Sequence, residues 1–166
     1  MRILWLPVLG LAALTSACAS VETPEPVANA ATASAPAPTA GYDWHYTPAD
    51  GSARLAYGVE ASDDLKLGFD CTAGSGKVDL TALGRTGERE IHLESGGDTE
   101  RFRAEGEPSQ LHDGDLLTVT AGTSEPVLQR FRRLGWIAQW VDGRREVYAP
   151  HPGSESSVER FFALCG

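Results

Sequence analysis

From about residue 41 onward, apolar and polar positions alternate in short runs, and turn residues interrupt them at close intervals. That pattern predicts antiparallel β structure. Trp44 and Tyr46 open a first strand, Pro48-Ala49-Asp50-Gly51 turns the chain, and residues 53–58 form a second strand. Glu60 to Asp64 is a polar loop. The clearest strand is 65–71, with Leu65, Leu67, Phe69 and Cys71 on one face and Lys66, Gly68 and Asp70 on the other. Gly74-Ser75-Gly76 turns into a fourth strand that buries Val78 and Leu80. After a turn at Gly84 to Gly87, Ile91 and Leu93 point inward while Glu90, His92 and Glu94 point to solvent. Gly96-Gly97-Asp98 leads into a strand at 99–105 with Phe102 and Ala104 inward, and His112-Asp113-Gly114-Asp115 precedes another at 116–121. No connection is long enough for a crossover helix, so a meander is expected rather than parallel units.

The period then changes. Val127, Leu128, Phe131 and Leu134 recur at helical spacing, with Thr123 or Ser124 as cap, Pro126 in the first turn and Gly135 as the stop. Arg130, Arg132 and Arg133 lie toward the C-terminal end, where the helix dipole favours cations. Two strands follow, 136–141 and 144–149, joined by the hairpin signal Asp142-Gly143. A last helix covers about 155–165, with Ser156 and Glu159 as a capping box and Val158, Phe161, Phe162 and Cys165 as its apolar face. The expected fold is α+β: an antiparallel β meander or open sandwich with two packed helices near the C-terminus.

The first 40 residues follow other rules. Arg2 and the apolar run Ile3 to Leu14 form a secretory signal, too short to span a bilayer as a stable helix. Leu14-Thr15-Ser16-Ala17-Cys18 resembles the lipobox of bacterial lipoprotein precursors, with Thr15 at the place where leucine is commonest. Ala17-Cys18-Ala19 also meets the small-x-small pattern of ordinary cleavage. The lipobox resemblance implies cleavage before Cys18 and lipidation of that cysteine, acyl chains such as palmitate included. Ala19 and Ser20 follow, neither of them the aspartate that resembles an inner-membrane retention signal in enteric lipoproteins. The implied residence is the outer membrane, facing the periplasm. Residues 19–40 are rich in Pro and Ala and contain no aromatic residue. They cannot bury enough surface to offset their ordering entropy. They read as a tether that can hold a domain up to roughly 60 Å from its anchor at about 3 Å per residue. The chain thus divides into a lipoprotein-type signal peptide (1–17), a lipidated Cys18 with a Pro/Ala-rich tether (18–40), and a single α+β domain (41–166).

Charge narrows the partners. The net charge is −9, and Arg2 is the only charge before Cys18, so the exported part is one unit more negative. Nucleic acid is disfavoured for want of a basic footprint, and an anionic membrane surface would repel the domain. Apart from the lipid anchor's membrane, the electrostatic complement is a cationic protein, peptide or metal ion, with plain solubility as the alternative meaning. Three cysteines occur. With Cys18 lipidated, Cys71 and Cys165 remain as an even pair in an oxidising compartment, which favours a disulfide. Both periodicities turn these thiols toward the core.

No strong catalytic motif is present: no Gly-x-Ser-x-Gly elbow, no His-Glu-x-x-His, no phosphate loop and no Cys-x-x-Cys. His92 and Glu94 share a strand face, but no third metal ligand is visible. His112-Asp113-Gly114-Asp115 and Asp63-Asp64 offer oxygens for calcium without the ligand count of a dedicated loop. Trp136, Ala138 and Trp140 alternate with Ile137, Gln139 and Val141. That strand is either central in a sheet or presents the Trp136–Trp140 pair to a partner. The arginines of the first helix, with Arg144 and Arg145, form either a local basic patch or a solvated face.

These readings favour a non-enzymatic cell-envelope lipoprotein that binds something or supports an assembly, without a cofactor. A small, tethered, acidic β domain is also weakly similar to the membrane-bound lysozyme inhibitors, although Ser95-Gly96-Gly97 lacks that family's fuller Ser-Gly-x-x-Tyr signature. The similarity implies a proteinaceous inhibitor of a cationic envelope hydrolase. An envelope hydrolase is the third class, and it requires His92, His112 and Asp115 to converge.

Overall fold

A computed structural model describes residues 35–166. The signal, Cys18 and most of the tether lie outside the described residues. Ten strands and two helices follow in the order β1 (Asp43–Ala49), β2 (Ser52–Gly58), β3 (Leu65–Thr72), β4 (Lys77–Gly84), β5 (Glu90–Ser95), β6 (Asp98–Arg103), β7 (Glu105–Pro108), β8 (Asp115–Gly122), α1 (Pro126–Leu134), β9 (Ile137–Val141), β10 (Arg144–Tyr148) and α2 (Ser156–Cys165). The fold is α+β. Six strands form one sheet in the order β1-β2-β3-β4-β8-β7, and four form another in the order β10-β9-β5-β6. Every pairing is antiparallel.

The strand expected at 99–105 is two strands. Ala104 is buried, its N–H donates to the Arg89 carbonyl, and the chain passes there from the four-stranded sheet to the edge of the six-stranded one. Alternation cannot reveal such a switch, because inward and outward positions keep their order through it. Asp142 and Gly143 both have positive φ (56° and 69°), the backbone that matches a two-residue hairpin to strand twist.

The inner faces of both sheets and one side of each helix share a core. Trp44, Phe69, Phe131, Phe161 and Phe162 form its aromatic centre, with the Trp44 and Phe131 rings 4.9 Å apart and Phe161 edge-on to Phe162. Gln139 is the polar exception. Its amide donates to the Leu83 carbonyl at 2.8 Å and its oxygen accepts from the Tyr148 hydroxyl at 3.2 Å, so one buried side chain joins the two sheets.

Both helices start differently from expectation. Neither Thr123 nor Ser124 caps α1; the Thr123 hydroxyl donates to the Gly76 carbonyl instead. Pro126 has no N–H to satisfy, and the next free donor, Val127 N–H, is accepted by Glu100 of β6 at 3.1 Å. The cap is therefore supplied across the fold, and the carboxylate also complements the positive end of the helix dipole. Gly135 ends the helix in the left-handed conformation (φ 77°), as expected. Leu134 does not complete the apolar face: it is 40% exposed, beside the β5–β6 turn at Gly96. The Ser156–Glu159 box does not form either. Glu155 is the cap residue of α2, and Glu159 receives Arg132 of α1 in a two-pronged ion pair at 2.8 and 2.6 Å. A carboxylate that can reach a guanidinium gains more than one reaching a backbone N–H.

Cys71 and Cys165 are disulfide-bonded, with Cα atoms 5.7 Å apart. Beside the bond, Gly74 N–H and Gly76 N–H donate to the carbonyls of Leu164 and Cys165 at 2.8 and 2.9 Å. The β3–β4 turn thereby satisfies two of the carbonyls that the end of a helix leaves without partners.

Candidate functional site

A cavity of about 920 Å³ opens on the outer face of the six-stranded sheet. Its floor breaks the alternation that a solvated sheet face should show. Leu83 of β4 and Leu116 of β8 are adjacent to the core-facing Ala82 and Leu117, so both fall on the outward phase, and the register sets them opposite each other. Ala56 of β2 extends the apolar floor, with Pro108 and Leu111 also lining the cleft. Leu65, expected on the core face, lines it too, because the register shifts where β3 begins opposite Gly58. The concavity comes from small residues: Ala56, Gly68 and Thr81 are mutual register partners on three adjacent strands.

Two loops wall the cleft, and each is held by its own hydrogen bonds. In the Val59–Asp64 loop, the Ser62 hydroxyl donates to the Val59 carbonyl at 3.0 Å and accepts Asp64 N–H at 3.1 Å. In the Ser109–Gly114 loop, Ser109 N–H donates to the Gly114 carbonyl at 3.0 Å, while the Ser109 hydroxyl accepts the N–H groups of Leu111 and His112. Leu111 stands 67% exposed on this second loop. Walls ordered in advance lose little freedom when a ligand arrives.

The charges around the mouth are unequal in their partners. Lys66 is 2.8 Å from Asp64 and Arg54 is 3.4 Å from Asp70. The bond from Lys66, with a second from the Tyr42 hydroxyl, holds the Asp64 carboxyl below the usual carboxylate range, and the same bond raises the Lys66 ammonium. Asp63 and Glu107, which also line the cleft, have no ion-pair partner among the described residues. With both cations neutralised, the mouth is left with two carboxylates.

The second cluster lies on the outer face of the four-stranded sheet, where Trp136 and Trp140 are found. Their strand is central, flanked by β10 and β5, as one of the two expectations had it, and the tryptophans are not an exposed aromatic pair. Trp136 is 6% exposed, and the Arg145 guanidinium lies 5.5 Å from its ring centre. The Trp140 indole N–H donates to Glu94 at 2.8 Å, and its ring stacks on His92 with centres 6.0 Å apart. Glu94, expected in solvent, is 8% exposed. The Arg145 bond, assisted by Trp140, pulls its carboxyl below the usual range against the opposing effect of burial. Burial pushes the His92 imidazole down, Arg101 adds to that, and its Nε2 is buried without a hydrogen-bond partner. Beside this cluster β5 and β9 separate, since they pair only at Leu93–Gln139 and Glu94–Ala138, and a cavity of about 550 Å³ opens between His92, Arg101, Trp140 and the Asp142-Gly143 turn.

The remaining candidates are dispersed. His112 lines the large cleft and His92 the smaller cavity, while Asp115 accepts Arg89 at 2.8 Å and Gly87 N–H at 3.1 Å. The three do not converge. Of the oxygens considered for calcium, in Asp63-Asp64 and His112-Asp113-Gly114-Asp115, those of Asp64 and Asp115 are held by Tyr42, Lys66, Arg89 and Gly87. Among the described residues no group of three or more His, Cys, Asp or Glu side chains is placed for a metal. Of the arginines that could form either a basic patch or a solvated face, three are paired with carboxylates: Arg130 with Asp98, Arg132 with Glu159 and Arg145 with Glu94. Ser95 is fully buried, and its hydroxyl donates to the Trp136 carbonyl rather than toward a partner. None of the helices among the described residues is long and apolar enough to cross a membrane.

Sequence reasoning did not find the cleft, although the signal was present in the neighbouring leucines Leu116-Leu117 and the pair Ala82-Leu83, where alternation fails. What the arrangement can do has to be read from its own chemistry, because no family model, no curated protein and no solved structure matches this chain.

Proposed function

We propose that this protein is a non-enzymatic binding module of the cell envelope, anchored in the outer membrane through lipid on Cys18, facing the periplasm and taking a ligand in the cleft beneath the Val59–Asp64 and Ser109–Gly114 loops. One observation carries the reading: an apolar floor where a solvated sheet face should be polar, within a cavity of about 920 Å³. Ligand sites commonly combine such a volume with mostly apolar walls and a few polar groups. The leader and tether supply the address, since a domain held away from a membrane can reach a periplasmic ligand. The test uses a neutral naphthylamine fluorophore with the purified chain. Saturable fluorescence enhancement that disappears in Leu83→Asp and Leu116→Asp, with the far-UV circular dichroism unchanged, supports the reading. Absence of saturable binding removes it.

A second reading, inhibition of a cationic envelope hydrolase such as lysozyme, is favoured by Leu111, exposed on an internally bonded loop of an acidic protein. Lysozyme turnover measured against increasing protein decides it: inhibition abolished by Leu111→Asp supports an inhibitory loop, and unchanged turnover eliminates it.

A further inference from the structure

We propose that the cleft selects a small amphiphile with a cationic head, an apolar body lying on the floor and an ammonium or similar group held at the mouth by Asp63 and Glu107. The inference rests on the binding-module reading and adds the chemical class of the ligand. It follows from two independent features of the same cavity. The first is the floor, where the half-buried Ala56, Leu83 and Leu116 turn their remaining apolar surface to the cavity. Removing such surface from water is favourable for any apolar body of suitable shape.

The second is the distribution of charge. Lys66 and Arg54 have carboxylate partners, at 2.8 and 3.4 Å, whereas Asp63 and Glu107 have none among the described residues. The two acids come from different elements, Asp63 from the loop before β3 and Glu107 from edge strand β7, and both line the one cavity. An anionic head meets two uncompensated carboxylates there, and a neutral head gains no charge attraction from them. A cationic head gains at both, next to low-dielectric walls that strengthen the attraction relative to open water. The chain's net charge of −9 acts in the same direction over longer range. A cavity of about 920 Å³ fits a drug-sized molecule rather than a long polymer.

The experiment compares probes by titration calorimetry with the whole mature chain, all below their micelle concentrations: dodecyltrimethylammonium, dodecyl maltoside, dodecyl sulfate and tetralysine. The alkylammonium is expected to bind at least about fivefold more tightly than the maltoside, since each exposed ion pair contributes roughly 0.5 kcal/mol and two together amount to about fivefold. The sulfate should bind more weakly than either. Asp63→Asn with Glu107→Gln should erase the preference for the cation and leave maltoside binding within about twofold, and added salt should do the same. Ala56→Phe should weaken both alkyl probes together. Thr81→Tyr, two strands away on β4, repeats that test with a different side chain, and thermal unfolding confirms that each variant is folded. Equal binding of cation and maltoside overturns the charge selection while leaving the binding-module reading in place. Tetralysine binding as tightly as the alkylammonium overturns the apolar part. Failure of every probe, the neutral fluorophore included, overturns both.

Discussion

Arg145 reaches across strand β9 to hold Glu94 in a two-pronged ion pair, Nε to one carboxylate oxygen at 2.8 Å and a terminal nitrogen to the other at 2.7 Å. The two residues belong to strands on either side of β9, and on β9 Glu94 is opposite the fully buried Ala138 while Arg145 is opposite Trp140, so the ion pair runs diagonally across the strand. Trp140 adds a third hydrogen bond to the carboxylate and Trp136 lies against the guanidinium, so Glu94 is screened from solvent on a sheet face that sequence alone assigns to water, while Arg145 stays partly exposed.

Breaking this pair should cost stability: without Arg145 the Glu94 carboxylate keeps its burial and loses its partner, and without the Glu94 charge three charge-assisted hydrogen bonds are lost. Glu94→Gln is expected to destabilise by roughly 2 kcal/mol, the scale of hydrogen bonds to a charged group. Arg145→Met should cost a similar amount, and the double variant clearly less than the sum. Urea unfolding of the three variants measures this. Fully additive losses would mean that the two side chains do not act as a unit.

Capping of α1 by a residue of β6 makes a second prediction. Glu100→Ala should destabilise by about 1 kcal/mol, the usual cost of losing an N-terminal cap, whereas Ser124→Ala should change stability by less than about 0.5 kcal/mol. The reverse ranking in thermal unfolding would return the cap to the local residue.

The disulfide spans 94 residues of sequence. A loop of that length is credited with roughly 4–5 kcal/mol by chain entropy, and measured losses run to about 2–5 kcal/mol. Cys71→Ser and Cys165→Ser should destabilise by similar amounts within that range, and the double variant should lose little more, since each change removes the same bond. The amides of Gly74 and Gly76 at the end of α2 should lose hydrogen-exchange protection along with it. Thiol titration of protein isolated from the envelope gives an independent check: two reactive thiols would exclude the bridge.

His92 should make stability depend on pH in a definite direction. Its folded-state pKa is below the ordinary value, because burial and Arg101 disfavour the imidazolium. The unfolded chain therefore binds a proton more readily, starting near pH 6.5. The stability associated with neutral His92 is complete above that pH, and it declines as pH falls toward the folded value. His92→Gln should flatten the stability profile just below pH 6.5. Glu94 acts in a lower window: its contribution is present above about pH 4.5 and is lost as pH falls through its depressed folded value. A profile identical in wild type and His92→Gln would show that the ring does not titrate with folding.

The address makes its own prediction. Mass spectrometry of the mature N-terminus should find an acylated Cys18, and Cys18→Ala should release the protein from the membrane fraction. An unmodified N-terminus at Ser20 would replace the lipid anchor with ordinary secretion.

By itself the sequence determined the local structure: strands with their inward faces, the Asp142-Gly143 hairpin, the two C-terminal helices, and the inward direction of Cys71 and Cys165. These follow from backbone periods of 2 and 3.6 and from residues that accept positive φ, which act over a few positions. What joins distant segments was decided by tertiary structure alone. Local sequence offered Thr123 or Ser124 as cap for α1, but Glu100, on another strand, was within reach of the first free N–H. Glu94 reads as a solvated charge until β9 and β10 bring Trp140 and Arg145 over it. Leu83 and Leu116 look like lapses in alternation until β4 pairs with β8 and sets them opposite each other as the floor of a cleft. The physical reason is the same in each case: side-chain direction is set by neighbours along the chain, whereas a partner is set by which strands pair, and that choice is made by the core on the opposite face of the sheet.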